Sequence, residues 1–540
     1  MTSTRSSRHW TRRCAAECRS RRTDTVSGVI GSKRWGAVGV VLALALTTYL
    51  VLRPDSAREL AERLVGCVRG PCDGDDPATV GGTRTVDPRV RVWSRTITLR
   101  TADGGASARI ENGQPGDTVW LDRGGPERIE DGNLGATSIS APDTAQHTGY
   151  YRYAGSALRA CGRAGDRPEI RCTRWTAAGD PPPDRDMRAV DRLLERYDHR
   201  AGLWENDAST WQSANALTAV LGYVRRTGDR QYLAYLDETY RHGDVARIGI
   251  PRRTGYNDDE LWWALAWIQG FDLTRDPRYL TAARTIVDGL DDQRTTFCGG
   301  GLAWARIGID PDQRPWEQVN TITNALYLTA TARLSTRVDQ PDRARYLAGA
   351  TAAWSWFETA PGRALLDPSG LVDDHLLRSG DTCVLDDENR RWTYDQGMLI
   401  DGLVALYQAT GNDAPRAAAD RIAAAATRDG SPFIRDGILV EAAATDCPGT
   451  GCRDVETFKG VFVRAYRDLL DTGRSTAATA EFLTRQADSL RDRGDEYGFR
   501  WRGPVAEDDR PNFATQAAAV DALTAAIAPG SQRVPDEPGR

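Results

Sequence analysis

The chain has 540 residues, too many for one ordinary domain, and its net charge of −5 hides an asymmetry. Residues 1–34 carry nine Arg or Lys against Glu17 and Asp24, which leaves about −12 for the rest and no basic stripe for a nucleic acid. The five His form no cluster with ligand spacing and no Cys-x-x-Cys occurs, so a metal site is not expected.

After the basic segment, Trp35 to Leu52 is an uncharged run rich in Val, Leu and Ala, about the shortest length that spans a bilayer. The positive-inside rule then puts residues 1–34 in the cytoplasm, 35–52 in the cell membrane and everything after Arg53 outside, in a single-pass topology. A cleaved signal peptide is the alternative. The long N-region, and the want of a small-x-small site after Leu52, favour an uncleaved anchor. Residues 53–65 read as a stalk. Cys14 and Cys18 fall on the inner side, and the other eight cysteines suggest disulfides in an oxidising compartment. Close spacing suggests Cys67–Cys72, Cys161–Cys172 and Cys447–Cys452, with Cys298–Cys383 as a long-range pair, although spacing alone leaves the connectivity open.

Residues 66–176 alternate in short strands, at 89–93, 96–100 and 117–121, separated by Gly- and Asp-rich breaks, and predict a small all-β domain. The runs Cys72-Asp-Gly-Asp-Asp-Pro77, Pro115-Gly-Asp-Thr-Val-Trp120 and Arg159-Ala-Cys161 to Cys172-Thr173 resemble a domain of unknown function in actinobacterial surface proteins. Two cysteines expected by that resemblance, near Gly81 and Gly104, are absent. Asp180-Pro-Pro-Pro183 marks a stiff linker over 177–186.

From 187 to 528 the period turns helical. Apolar residues recur at three- and four-residue spacing in 187–197, 212–226, 231–242, 258–272, 277–291, 317–335, 342–357, 394–409, 414–427, 456–471, 476–493 and 513–527. Short turns such as Thr227-Gly-Asp229 join these twelve helices in pairs, as an open solenoid or a closed (α/α)6 barrel. Residues 529–540 read as a disordered tail.

The strongest local feature is Gly255-Tyr-Asn-Asp-Asp-Glu-Leu-Trp-Trp, three acids opening a helix among aromatic rings. Capping by Asn257 or Asp258 and favourable dipole contacts explain part of it. A cap uses one acid, and sugar clefts set carboxylates beside flat rings. Neighbouring carboxyls at a helix start diverge to about 5–6 Å, near the separation used for retaining glycoside hydrolysis. The one nearer the helix N-terminus is expected to be ionised, and the one against the rings neutral.

Six ordered motifs, Trp211-Gln-Ser-Ala-Asn-Ala-Leu217, Tyr256-Asn-Asp-Asp-Glu260, Cys298-Gly-Gly-Gly301 with Trp304, Trp392-Thr-Tyr-Asp-Gln-Gly397, Phe458-Lys-Gly460 and Trp501-Arg-Gly-Pro504, resemble glycoside hydrolase family 76 over roughly 190–528. That resemblance implies a mainly α (α/α)6 barrel and retaining endo-α-1,6-mannanase chemistry on mannan outside the cell, without a cofactor. It also implies that Asp258 is the nucleophile and Asp259 the general acid/base. The family usually has Asn at the place of Asp395 and Ser at that of Arg502.

Further candidates for substrate binding are Asn215, Tyr256, Trp304, Asn320, Asp374, Tyr394, Gln396 and Lys459. Asn215 and Asn320 interrupt apolar helix faces; inter-helix amides are the equal alternative. Trp304 follows a Gly run and could stack on sugar or pack in the core, while Tyr394 could line the cleft or pack. Asp374 resembles a family acid that contacts substrate. Lys33 and Lys459 are the only lysines among 70 basic residues, so Lys459 is expected to meet a sugar hydroxyl or a carboxylate. Transglycosylation by the same retaining intermediate, and an inactive glycan-binding surface module, are the competing functions. The chain is expected to be a monomer.

Overall fold

The computed structural model describes residues 72–528, leaving aside 81–88, 93–94, 103, 126–127, 167–169, 181–184, 205–209, 308–316, 387–389, 442–452, 474–476, 492 and 505–508. The expected anchor (35–52), the basic segment, the stalk, the Pro-rich run and the C-terminal tail lie outside the described residues, as do Cys67, Cys447 and Cys452. Among the described residues no helix is long and apolar enough to cross a membrane. The chain divides into two compact units, at Asp184 and Arg185.

The first unit is antiparallel. One sheet runs β1 (Arg89–Val92), β2 (Arg95–Ala102), β3 (Gly105–Gly113) and β6 (Thr144–His147), with β7 (Tyr151–Arg152) also on β3. The second runs β5 (Ile129–Ser138), β4 (Thr118–Gly124), β8 (Ala157–Arg163) and β9 (Ile170–Cys172). Alternation along the strands sends Ile97, Leu99, Ile110, Val119, Leu121 and Leu158 into one core with no exposure. Cys161 and Cys172, directly opposite on β8 and β9, form a disulfide.

The second unit holds thirteen α-helices among its described residues: α1 (Arg185–Leu194), α2 (Trp211–Thr227), α3 (Leu233–Arg241), α4 (Val245–Ile248), α5 (Asn257–Thr274), α6 (Pro277–Asp288), α7 (Thr321–Ser335), α8 (Asp342–Glu358), α9 (Thr393–Thr410), α10 (Asp413–Thr427), α11 (Val455–Leu470), α12 (Ala477–Arg491) and α13 (Phe513–Ala525). All twelve helices expected from periodicity are present, and the four-residue α4 is additional. Around the unit α2 packs on α5, α5 on α7, α7 on α9, α9 on α11, α11 on α13, and α13 back on α2. The inner ring is therefore closed, which removes the open solenoid. The remaining long helices, α1, α3, α6, α8, α10 and α12, each pack on the inner ring.

Inner helices read as apolar on every side because both faces are covered; α5, α7 and α13 are buried along almost their whole length. The polar residues that remain on them are paired. Arg464 on α11 meets Asn215 on α2 at 2.6 Å and Asp521 on α13 at 3.2 Å. Arg333 on α7 bridges Asp401 on α9 at 2.6 Å and Asp468 on α11 at 3.2 Å, and Arg225 on α2 reaches Asp468 at 2.7 Å. One ionic network thus ties five of the six inner helices.

Between α1 and α2 two short strands pair, β10 (Tyr197–Asp198) and β11 (Leu203–Trp204). The helix expected over 317–335 begins only at Thr321, because Gln318–Asn320 is a strand, β12, paired with β13 (His375–Ser379). β13 pairs in turn with β14 (Thr382–Leu385). A second disulfide, Cys298–Cys383, joins the Gly run before Trp304 to β14.

Candidate active site

The acidic triplet opens α5, but none of its members is a cap. The N-cap is Tyr256, with no side-chain cap bond. Asn257 is spent instead on the carbonyl of Ala303, to which its Nδ2 donates at 2.9 Å. Glu260 is buried and bound by Arg253 at 2.8 Å and Arg306 at 3.0 Å. Capping by Asn257 or Asp258 is therefore excluded, and Asp258 and Asp259 are the two acids left at the helix start.

The segment after the Gly run fixes what covers them. Gly299 and Gly300 adopt left-handed φ of 63° and 83°, and a Cβ on Gly301 would stand 2.8 Å from the Trp356 ring, so the chain turns here only with glycine. Residues 303–306 then run beside 255–257: Asn257 N–H donates to the Trp304 carbonyl at 2.9 Å and Arg306 N–H to that of Gly255 at 2.9 Å. This places the Trp304 ring 4.8 Å from that of Tyr256, and its indole N–H donates to Oδ2 of Asp258 at 3.1 Å. The backbone N–H of Asp259 donates to Asp258 Oδ1 at 3.1 Å. Asp259 itself is buried.

Burial pushes the Asp258 carboxyl up to about 7; the backbone N–H groups and the Trp304 indole pull the other way, and Asp454 adds to the rise. The expectation that the acid nearest the helix N-terminus is held ionised thus meets an opposing effect. Dipole and donors are present, but withdrawal of water outweighs them.

The starts of four inner helices meet around this pair in a chain of rings. Trp262 on α5 lies 5.9 Å from Trp211 at the start of α2, which lies 6.3 Å from Phe458 on α11. Phe458 stacks on Tyr394 of α9 at 3.7 Å and 14°. Burial, with the charges of Asp395, Asp374, Asp258 and Asp454, pushes the Tyr394 phenol well above its ordinary value, so these acids lie within electrostatic range of its hydroxyl. Trp304 and Tyr256 thus stand at Asp258, Tyr394 lies within electrostatic range of both Asp258 and Asp374, and Tyr256, Trp304, Tyr394 and Asp374 are each only partly buried.

Four expected sugar ligands are elsewhere engaged. Asn215 is buried, donating to the Trp211 carbonyl at 3.2 Å and accepting from Arg464. Asn320 is the cap of α7, its Oδ1 accepting from Thr323 N–H at 3.2 Å. Gln396 is fully buried and sews the chain at Val372, accepting its N–H at 2.8 Å and donating to its carbonyl at 2.7 Å. Lys459 is buried between the rings of Phe499 and Trp501, at 4.3 and 4.6 Å, and its ammonium donates to the Phe499 carbonyl. Among the described residues it makes no hydrogen bond to a carboxylate; burial lowers its pKa to about 7. In each case the partner lies far along the chain or in the backbone, where residue type alone does not reveal it.

Asp395, which the sequence marks only as a departure from the family's usual Asn, has surroundings that sequence reasoning does not reveal. An Asp in the first turn of a helix looks like a dipole partner, yet this one has no exposure and neither carboxyl oxygen has a hydrogen-bond partner.

The sequence model of glycosyl hydrolase family 76 matches residues 188–536. Mannan endo-1,6-alpha-mannosidase DFG5 of Saccharomyces cerevisiae is 30% identical over 282 residues, half of this chain. Mannan endo-1,6-alpha-mannosidase DCW1 of Candida glabrata is 24% identical over 295 residues, again half of it. The chain spans 58% and 60% of those two relatives' lengths. Among solved structures, the GH76A alpha-1,6-mannanase of Salegentibacter sp. HEL1_6 matches with a TM-score of 0.53 at 23% identity, over 64% of this chain and 98% of that one. That likeness is one of fold.

Proposed function

The chain belongs to glycosyl hydrolase family 76, and from that premise we propose that it cleaves internal α-1,6-mannosidic bonds of mannan with retention of configuration. The observation that carries this reading is the pair Asp258 and Asp259 at the start of α5, left uncapped and set under the Trp304 indole in a ring-lined face. The names of the two yeast relatives support the substrate class. So does an inactive variant of the Salegentibacter mannanase, in which two neighbouring aspartates are replaced by alanine, in complex with α-1,6-mannotetrose.

In the proposed sequence Asp259, protonated, donates to the departing glycosidic oxygen while ionised Asp258 attacks the anomeric carbon from the opposite face. The bond to the leaving sugar breaks and a β-linked glycosyl ester to Asp258 forms. Asp259 then takes a proton from water, whose oxygen opens the ester and restores the α configuration. The Trp304 indole and the Asp259 amide favour the Asp258 carboxylate, both when it attacks and when it leaves.

The test is the purified full-length chain on linear α-1,6-mannan, followed by reducing ends and by the anomer of the first product. The expected result is falling chain length with an α product, lost in both Asp258→Ala and Asp259→Ala. With an activated aryl mannoside and azide, Asp259→Ala is expected to yield the α-azide and Asp258→Ala the β-azide. The reverse pattern exchanges the two roles. Mannan bound without new ends would turn the reading to a binding module, and lengthened acceptor sugars to a transglycosidase.

The anchor at 35–52, with residues 1–34 in the cytoplasm and the enzyme outside, belongs to the same proposal. The disulfides Cys161–Cys172 and Cys298–Cys383 support an oxidising compartment. Protease added to intact cells is expected to remove the activity; protection until lysis would reverse the topology.

A further inference from the structure

We infer that Asp395 is a neutral carboxylic acid whose O–H donates to Asp374, so that Asp374 enters the cleft as a fixed acceptor for a mannose hydroxyl beside Asp258. The second half of this inference rests on the mannan reading above; the first half does not.

The geometry comes first. Asp395 stands in the first turn of α9 with no exposed surface, and neither of its oxygens is reached by an N–H or O–H donor. A buried carboxylate without donors or a cation is among the costliest groups a protein can hold, several kcal/mol even after relaxation (about that order). A proton removes the charge, and the O–H so formed needs an acceptor. Asp374, within hydrogen-bonding reach, supplies it. Two carboxyls at that range cannot both ionise cheaply, so one shared proton is the stable state.

Among the described residues, the charges that act directly on Asp395 are those of Asp374, Glu441 and Asp373. Asp374 precedes β13 and is bound on Oδ2 by His375 Nδ1 at 3.0 Å, while His375 Nε2 meets Asp386 at 3.1 Å. Burial works against a charged His375, but the Asp374 and Asp386 carboxylates outweigh it and raise its pKa. Asp373 is taken by Arg391 at 2.6 Å. Glu441, behind α9, accepts from Thr393 N–H at 3.0 Å and from the Thr393 hydroxyl, and Lys459 on α11 acts on Glu441. Asp258 and Asp454 act through their charge on the neighbouring Tyr394. Burial, then Asp374, Glu441 and Asp373, push Asp395 well above the carboxylate range.

The arrangement gives Asp374 two fixed donors, an imidazole on one side and a carboxylic acid on the other. Its chain is held as well: its carbonyl accepts from Thr321 N–H at 2.7 Å and its N–H donates to Arg390 at 3.2 Å. Asp374 is only partly buried, so a ligand donor can reach its carboxylate, and its charge acts on Tyr394 together with that of Asp258. Asp395 is thus a positioning residue that acts through Asp374.

The test uses the full-length chain and three proteins: wild type, D395L and D395N. D395L removes the donor and is expected to lower kcat/KM on α-1,6-mannan at least tenfold. D395N keeps an N–H donor of the same shape and is expected to recover most of that loss. It also lacks a proton to lose, so its activity is expected to persist at alkaline pH values where wild type declines. The wild-type-minus-D395N infrared difference at pH 7 is expected to contain a protonated-carboxyl C=O band. Carboxylate bands in its place would overturn the neutral acid, and D395L with wild-type kcat and KM would overturn the positioning role. Should D395L not fold, the infrared difference and the D395N profile still decide. If wild type leaves mannan intact, the mannan reading falls, and the infrared difference alone upholds or overturns the neutral acid.

Discussion

The indole N–H of Trp304 and the Oδ2 of Asp258 stand 3.1 Å apart, joining the Gly-run segment to the start of α5. A donor aimed at a carboxylate stabilises the anion, by roughly 1.5–3 kcal/mol for a hydrogen bond to a charged group. Trp304→Phe keeps a ring over Tyr256 and deletes only the donor. We expect kcat/KM to fall by about ten- to a hundredfold, and the acidic limb of the pH profile to move to higher pH as Asp258 becomes harder to ionise. A fall in rate with no movement of that limb would mean that the indole acts on the sugar and not on Asp258.

The position of that limb in the wild type is a separate prediction. Asp258 must be ionised to attack, and burial holds its carboxyl at about 7, so kcat/KM is expected to rise with pH through about 7, not through about 4. Stability should run the other way. Asp258, Glu441 and Asp521 all sit at about 7 when folded and near 4 when unfolded, so the folded chain holds more protons between those values. Their contribution is complete below the unfolded value and is lost as pH rises through 7. Melting of the purified chain should therefore occur at a higher temperature at pH 5 than at pH 7.5; equal or reversed values would show these carboxyls to be ionised in the fold.

The helical unit is legible because its period is a direct consequence of burial: a stripe recurring every three or four residues has one cause. The Asp258–Asp259 pair is legible because a cap accounts for one acid and three stand there. The roles of Asn215, Asn320, Gln396 and Lys459 are not legible in the same way. A polar residue on an apolar helix face looks the same whether its partner is a sugar or Arg464, and Arg464 lies 249 residues from Asn215. Nor can spacing reveal Asp395, whose singularity is the absence of donors around it, a property of β13, α9 and the chain near Glu441 taken together.

Closure of the inner ring rests on contacts too close for a side chain. Gly460 on α11 faces α13 so closely that a Cβ there would stand 2.6 Å from Ala518 Cα. Replacing it by Ala would gain up to about 1 kcal/mol of helix propensity. The clash is with backbone, and overpacking costs about 1–3 kcal/mol, so the clash wins. Gly460→Ala is expected to lower the urea midpoint of the full-length chain, where Gly473→Ala, at φ 75° with open space around it, acts only through local backbone strain. An unchanged midpoint for Gly460→Ala would show that α11 and α13 can part without loss.

The disulfide Cys298–Cys383 closes a loop of 85 residues that contains the Trp304 segment, all of α7 and α8, and Asp374. Cross-linking so long a loop restricts the unfolded chain strongly, which makes the bond worth about 2–5 kcal/mol if strain is small. Its place also matters to the chemistry, since Cys298 begins the turn that brings Trp304 to Asp258, while Cys383 on β14 steadies β13 next to Asp374. The double substitution Cys298→Ser with Cys383→Ser is expected to lower the melting temperature by several degrees and, at temperatures where the chain stays folded, to raise KM for mannan more than it lowers kcat. Loss of kcat alone would place the effect on Asp258 through Trp304; an unaffected KM would free the Asp374 side of the cleft from any dependence on this bond.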